Sequence, residues 1–371
     1  MYNLQPSKKY MQTCFSSSWG GLEMVAFELA LSLIQKGFNI IIAGYANSPL
    51  EKYCRQNNVP FYALSENSNT LQKITFVRHL LVTKNIDTVI IQKLPSLKYI
   101  VPAKLFITRK IQIFAFSHIM ININKKDFFH RFLYSHITKI FSMTDLQSKR
   151  LLEYLPVQAE QIEVIPNWIS KSKIIALQSP RMLYARKLVD SKAQFKAVMT
   201  SRLDPQKGQD LAIQAIYILK QQNIRADLFV VGENTKNEMD FKTYLETLSM
   251  SLGLQDQIHF LGYMENLSEI YNCADVLLVP SWEETFGRVI IEAMAVGLPS
   301  IASNAGGVPD IIHHMQNGLL FETKNAQALA EMIKLYMGRP ELRQQFKLQC
   351  IADSSQYTQD AVLEKLIRVI A

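Results

Sequence analysis

The chain has 371 residues, long for a single core and sufficient for two. With 48% hydrophobic and 19% charged residues it is excluded from the disordered class. Its four scattered cysteines (Cys14, Cys54, Cys273, Cys350) form no CxxC pair and no disulfide framework, and so read as small buried hydrophobes in a reducing compartment. No apolar run follows the first charged residues, and none approaches the length of a membrane-spanning helix. The expected location is the cytoplasm. The net charge of +8 is uneven. Residues 1–168 carry 19 Lys/Arg against 10 Asp/Glu, and residues 169–371 carry 21 against 22. A basic first half points to an anionic partner there.

Short β-branched runs alternate with helical patterns. Strands are expected over 10–15, 39–43, 61–64, 87–92, 112–116, 139–143 and 162–165. Helices are expected over 23–35, 50–56, 70–82, 127–135 and 145–154. In the first of these, Val25, Leu29 and Leu33 recur at a spacing of four, and Gly37 follows as a stop. The rhythm breaks over 167–194, which reads as a linker with irregular basic structure. It restarts with strands over 195–200, 227–231, 257–260, 276–279 and 300–302. Helices are expected over 209–221, 241–252, 267–272, 287–296, 326–337 and 360–370. This alternation predicts an α/β protein of two doubly wound parallel-sheet domains. Their expected extents are 1–168 and 195–345, with 169–194 between them and helices over 346–371 returning towards the first domain. Ligands of such sheets bind beyond the carboxyl ends of the strands, so the two domains are expected to face one another across a cleft.

The stretch from Val279 to Ala295 carries the strongest chemical signal. A buried strand ends at Pro280, a polar loop follows, and a helix opens near Gly287. A helix start offers free backbone N–H groups and positive potential, which suit a diphosphate. Gly287 permits close approach of backbone to ligand. Glu284 and Glu292 could engage different hydroxyls of one polar ligand, since each carboxylate accepts on two oxygens. The alternative is a solvated loop with an ordinary Arg288–Glu292 helix pair. Arg202 and Lys207 frame a proline turn at the end of the strand over 195–200. Both suit phosphate oxygens, and the alternative is a solvated basic turn. Gly20 and Gly21 lie between the first strand and first helix, where backbone could meet a phosphate or simply turn. The stretch lacks GxGxxG, which counts against an NAD-dependent enzyme. His118 follows the strand over 112–116 and is either a site residue or a structural one.

Together these pieces resemble the retaining glycosyltransferases of family 4, with the GT-B fold. The resemblance spans nearly the whole chain and is strongest over 195–325. It implies that Glu284 and Glu292 form the family's E-x7-E pair, the first near the donor sugar and the second at the ribose. It implies that Arg202 and Lys207 hold the donor phosphates, and that Thr285, Phe286, Gly287 and Arg288 belong to the donor-binding loop. Gly20 and Gly21 match the glycine turn near the diphosphate, and His118 matches a histidine near the transferred sugar. Ile165-Pro166-Asn167 is similar to the family's interdomain turn, with Trp168 in place of glycine. Gly306-Gly307-Val308-Pro309-Asp310 resembles the family's GG-x-P-E turn, with Asp replacing Glu.

The implied reaction moves a sugar from a nucleoside-diphosphate sugar to a glycan or lipid-linked acceptor, as in bacterial cell-surface polysaccharide or lipopolysaccharide synthesis. Arg202 and Lys207 would stabilise charge on the leaving phosphates. No pair of carboxylates in a suitable loop suggests a metal, so no obligatory metal or other cofactor is expected. The rivals are a nucleotide-sugar epimerase on the same fold and an inactive binding subunit of a partner transferase. Lys125, Lys126 and Arg131 stand among four aromatic residues, which marks 122–139 as a candidate contact for an anionic membrane inner face. No nucleic-acid recognition motif accompanies the charge.

Overall fold

The structure, a computed structural model, describes residues 8–178, 195–234 and 241–371. The expected irregular segment therefore lies outside the described residues over 179–194. The chain divides into two compact units. One comprises Met1–Pro166 with Leu363–Ala371, and the other Asn167–Val362.

The first unit is built on a parallel sheet of β1 (Lys9–Cys14), β2 (Asn39–Tyr45), β3 (Phe61–Leu64), β4 (Thr88–Ile91), β5 (Gln112–Phe116), β6 (Lys139–Ser142) and β7 (Ile162–Val164). Their spatial order is β3-β2-β1-β4-β5-β6-β7. β1 and β4 are buried along nearly their whole length, as expected for strands covered by helices on both faces. The helices are α1 (Gly21–Gln35), α2 (Pro49–Gln56), α3 (Thr70–Thr83), α4 (Leu97–Lys104), α5 (Phe128–Tyr134) and α6 (Asp145–Tyr154). Val25, Leu29 and Leu33 of α1 are buried, as their spacing predicts. Ser48, Asn69 and Thr144 cap α2, α3 and α6 by accepting from backbone N–H groups of the first turn. α4 was not legible in the sequence. It is apolar nearly all round and contains Pro102, so it shows no period and reads as a helix breaker.

The second unit repeats the plan. Its elements are α7 (Lys171–Gln178), β8 (Lys196–Thr200), α8 (Gln209–Gln221), β9 (Asp227–Val231), α9 (Phe241–Ser251), β10 (Ile258–Gly262), α10 (Ser268–Cys273), β11 (Val276–Val279), α11 (Arg288–Met294), β12 (Ser300–Ser303), β13 (Gly318–Phe321), α12 (Ala326–Gly338), α13 (Pro340–Ser354) and α14 (Gln359–Ile370). The sheet is parallel, in the order β10-β9-β8-β11-β12-β13. Neither α7, which lies in the stretch expected to be irregular, nor the four-residue β13 is legible in the sequence. The expected boundary at 345/346 falls inside α13. α14 begins in the second unit, and its residues from Leu363 group with the first. There Lys8 Nζ donates to Ile370 O at 3.0 Å and Tyr10 Oη to the same oxygen at 3.4 Å.

In each sheet the chain starts in the middle and reverses direction between two neighbouring strands, β1 and β4 in one and β8 and β11 in the other. In such sheets this switch point, at the carboxyl edge, is where ligands bind. The second core is filled by α8 (Leu211, Ala212, Ile213, Ala215, Ile216 and Leu219) packed with Leu329, Ala330 and Ile333 of α12. Trp168, which stands where the family resemblance expects glycine, is buried, and the next residue, Ile169, bridges to Thr358. Ile216 has no exposed surface. Replacing it with Ala should lower the stability of the second unit by about 2–5 kcal/mol. Denaturant titration would check this, and a loss below about 1 kcal/mol would place Ile216 outside a tightly packed core.

Candidate active site

The loops leaving β8 and β11 touch through their backbones. Asp204 accepts from Gln206 N at 2.9 Å and starts a short turn, Pro205–Lys207, which ends at Gly208. Gly208 has φ +71°, and a Cβ there would lie 2.3 Å from the carbonyl oxygen of Pro280, just past β11. Only glycine allows this approach. Trp282 N donates to Gln206 O at 2.8 Å and fixes the register of the two loops. The result places Lys207 Nζ 2.7 Å from Glu284 Oε2. Ser281 Oγ donates to the same oxygen at 3.4 Å.

A third loop holds Glu284 from behind. Gly307 N donates to Glu284 O at 2.7 Å. Gly306, with φ +58°, passes so close that a Cβ would lie 2.1 Å from that oxygen. The Gly306-Gly307 turn that the sequence singled out therefore positions Glu284. The Lys207 and Glu284 side chains are 24% and 20% exposed. Attraction in such a partly shielded place exceeds that of a surface pair, and removal of one partner leaves a poorly solvated charge.

The other expected residues divide between site and scaffold. Arg202 leans outward with its side chain 59% exposed, and its Nη2 lies 3.6 Å from Asp204. Its backbone is fixed by the buried Gln209, whose Nε2 donates to Arg202 O at 2.7 Å and to Ser201 Oγ at 2.9 Å. Glu292 sits on α11, largely buried, with Lys173 Nζ of α7 at 3.9 Å. Beside it Tyr271 is fully buried, and its Oη lies 2.8 Å from Thr200 Oγ1. Burial pushes the Tyr271 phenol well above its usual range, and the Glu292 carboxylate adds to the effect. Gly287, with φ +83°, opens α11. Thr285 and Arg288 on either side of it are half-buried. Phe286 is buried edge-on against Tyr357 at 5.8 Å, so its ring packs the scaffold.

In the first unit, Gly20 and Gly21 join β1 to α1. Gly20 is extended at φ −160°. A Cβ on Gly20 would make an ordinary 3.5 Å contact with Glu23, and one on Gly21 would meet nothing within 4 Å. The chain's own packing does not require glycine at either position. Beside this loop Trp19 stacks parallel on Tyr53 at 4.1 Å. His118, just past β5, has Nε2 2.6 Å from Oε1 of Gln92, a buried residue that directly follows β4. An amide oxygen only accepts, so this bond places the proton on Nε2. Gln92, Lys173, Tyr271, Ser281 and Gly208 were not singled out in the sequence. Gln92 and Gly208 could have been, since each directly follows or closely trails a strand at a switch point.

The family model for Glycosyl transferases group 1 matches residues 183–349, and that for Glycosyltransferase Family 4 matches residues 19–173. The chain belongs to glycosyltransferase family 4. An uncharacterized glycosyltransferase of Haemophilus influenzae is 26% identical, covering 94% of this chain and 95% of the relative. A solved glycosyltransferase from Rickettsia africae superposes with a TM-score of 0.87 at 21% identity, over 100% of this chain and 98% of its own. HepE of Anabaena, solved with UDP, gives 0.83 at 21% identity, over 97% and 98%. The two parallel-sheet α/β domains are thus those of the GT-B class. In this family 4 glycosyltransferase the acid and the lysine expected from separate motifs form one cluster. Among the described residues, no group of three His, Cys, Asp or Glu is placed to hold a metal ion.

Two glycine substitutions test this geometry in opposite directions. Gly306→Ala should displace the Glu284 backbone and lower turnover by roughly a hundred-fold, the scale of a 1 Å misplacement. Gly21→Ala should leave stability within about 0.5 kcal/mol of the parent. A fully active Gly306→Ala variant, in steady-state assay, would show that the turn does not position Glu284.

Proposed function

We propose that this glycosyltransferase takes its sugar from a nucleoside-diphosphate sugar and transfers it with retained anomeric configuration to a glycan or lipid-linked acceptor of the bacterial cell surface. The observation that supports this reading is the Lys207–Glu284 cluster at the switch point of the second sheet. Such a cluster offers a cation that can stabilise the charge on a departing diphosphate, and a carboxylate that can accept from sugar hydroxyls. Arg202, more exposed on the same loop, is free to swing onto phosphate oxygens as a planar fork. The UDP and UDP-glucose bound by the Anabaena neighbour favour uridine nucleotides as the first donors to test.

In this reading the bond between the anomeric carbon and the β-phosphate oxygen breaks, and the acceptor oxygen bonds to the same face of the sugar. The acceptor's proton passes to the departing phosphate. Lys207 and Arg202 stabilise the developing negative charge, so no metal is obligatory. Glu284 orients the transferred sugar and Glu292 holds the ribose.

Labelled UDP-, GDP- and ADP-sugars separate this reading from its rivals. A transferase gives product or slow donor hydrolysis, an epimerase gives a new sugar nucleotide, and a binding subunit gives neither. Lys207→Ala should weaken nucleoside diphosphate binding by about 1.5–3 kcal/mol and leave nucleoside binding far less affected. Equal losses by calorimetry for both ligands would remove Lys207 from the phosphate. Glu292→Gln should mainly raise KM for the donor, and Glu284→Gln should mainly lower kcat. Unchanged kinetics in both variants would return the glutamates to the scaffold.

A further inference from the structure

The loop after β5 and helix α5 expose apolar side chains that a folded core would cover. Ile119, Ile123, Phe128, Phe129 and Phe132 are all exposed, Phe128 to 87%. On α5, Leu133 and Tyr134 point into the core, while Phe128, Phe129 and Phe132 share an arc of roughly 100° on another side. The segment is anchored and does not hang loose. Lys125 N donates to Tyr154 O at 2.8 Å, and Asp127 caps α5 by accepting from His130 N at 3.1 Å.

Cations border this apolar arc. Arg131 lies roughly 60° around the helix from Phe128. Arg131 and Lys126 line a shallow cavity of about 350 Å³, walled by Leu155, Pro156, Val157 and Gln158. Lys126 Nζ is held by Leu152 O at 3.0 Å, and Arg131 Nε donates to Lys126 O at 2.8 Å. Among the described residues, no carboxylate lies within 4 Å of Lys125, Lys126 or Arg131. The nearest in sequence, Asp127, is engaged with His130.

We propose that this surface docks the protein on an anionic phospholipid bilayer. The three phenyl rings enter the boundary between headgroups and acyl chains, and Lys126 and Arg131 hold a lipid phosphate at the cavity. Exposed aromatics beside basic side chains match the two layers of such a surface, apolar below and anionic above. A second copy of the chain fits less well, because a twofold contact would set these cations against their own equivalents. The proposal rests on this surface alone and is independent of the donor reading.

Flotation with vesicles of phosphatidylcholine, alone or mixed with phosphatidylglycerol, tests it on the full chain. Binding should require phosphatidylglycerol and should fall as salt rises. Changing Lys125, Lys126 and Arg131 together to Ser should weaken partitioning by about a hundred-fold, since each basic residue contributes about 1 kcal/mol and each 1.4 kcal/mol is tenfold. Changing Phe128, Phe129 and Phe132 together to Ser should also release the protein, and these exposed rings can be removed without opening a core. Millimolar glycerol phosphate should leave bound protein on the vesicles. Vesicle binding by the triple-Ser variants equal to the parent's would overturn the proposal. So would complete displacement by glycerol phosphate, which would make the cavity a site for a free phosphate. Self-association abolished by the phenylalanine changes, with no vesicle uptake, would make the face an interface between copies.

Discussion

The contact of Gly208 with the carbonyl of Pro280 is the constraint on which the candidate site depends. A parallel sheet brings the ends of β8 and β11 side by side, but strand pairing alone leaves their loops free to part. The left-handed Gly208 and the Trp282–Gln206 hydrogen bond close that gap. Lys207 then has little choice of partner, and Glu284, fixed from behind by Gly307, meets it at 2.7 Å. The pair is preorganised and poised. A ligand phosphate could share the ammonium with the carboxylate, whose other oxygen would face the ligand's hydroxyls.

The two units carry different surfaces on the same plan. The first is rich in Lys and Arg, with an open glycine loop and a basic, aromatic flank at α5. The second is near neutral and spends its charges in specific pairs, Lys207 with Glu284 and Lys173 with Glu292. Among the described residues no helix is long and apolar enough to cross a membrane.

Much of this was legible in the residues. The strands are short apolar runs because both faces are covered, and Gly and Pro mark their ends. Glu284, Lys207 and the Gly306-Gly307 turn could be picked out because special backbone and charged side chains coincide at strand ends. What escaped has a physical reason. α4 is buried nearly all round and lacks a periodic stripe, and β13 is too short to show alternation. Lys173, Tyr271 and Gln92 matter only through partners far away in the chain, which one sequence does not disclose. The ring of Phe286 packs against Tyr357, a partner that its sequence neighbours do not disclose.

The most direct measurement is a double-mutant cycle at Lys207 and Glu284, read as nucleoside diphosphate affinity by calorimetry. In the parent, Lys207 neutralises Glu284, so Glu284→Gln should change affinity little. In the Lys207→Ala background the unpaired carboxylate would repel the diphosphate, and Glu284→Gln should then restore part of the lost affinity. The account predicts a coupling of at least about 1 kcal/mol, within the range for contacting charged residues. Effects that add to within about 0.5 kcal/mol would mean that the pair and the diphosphate do not share a site.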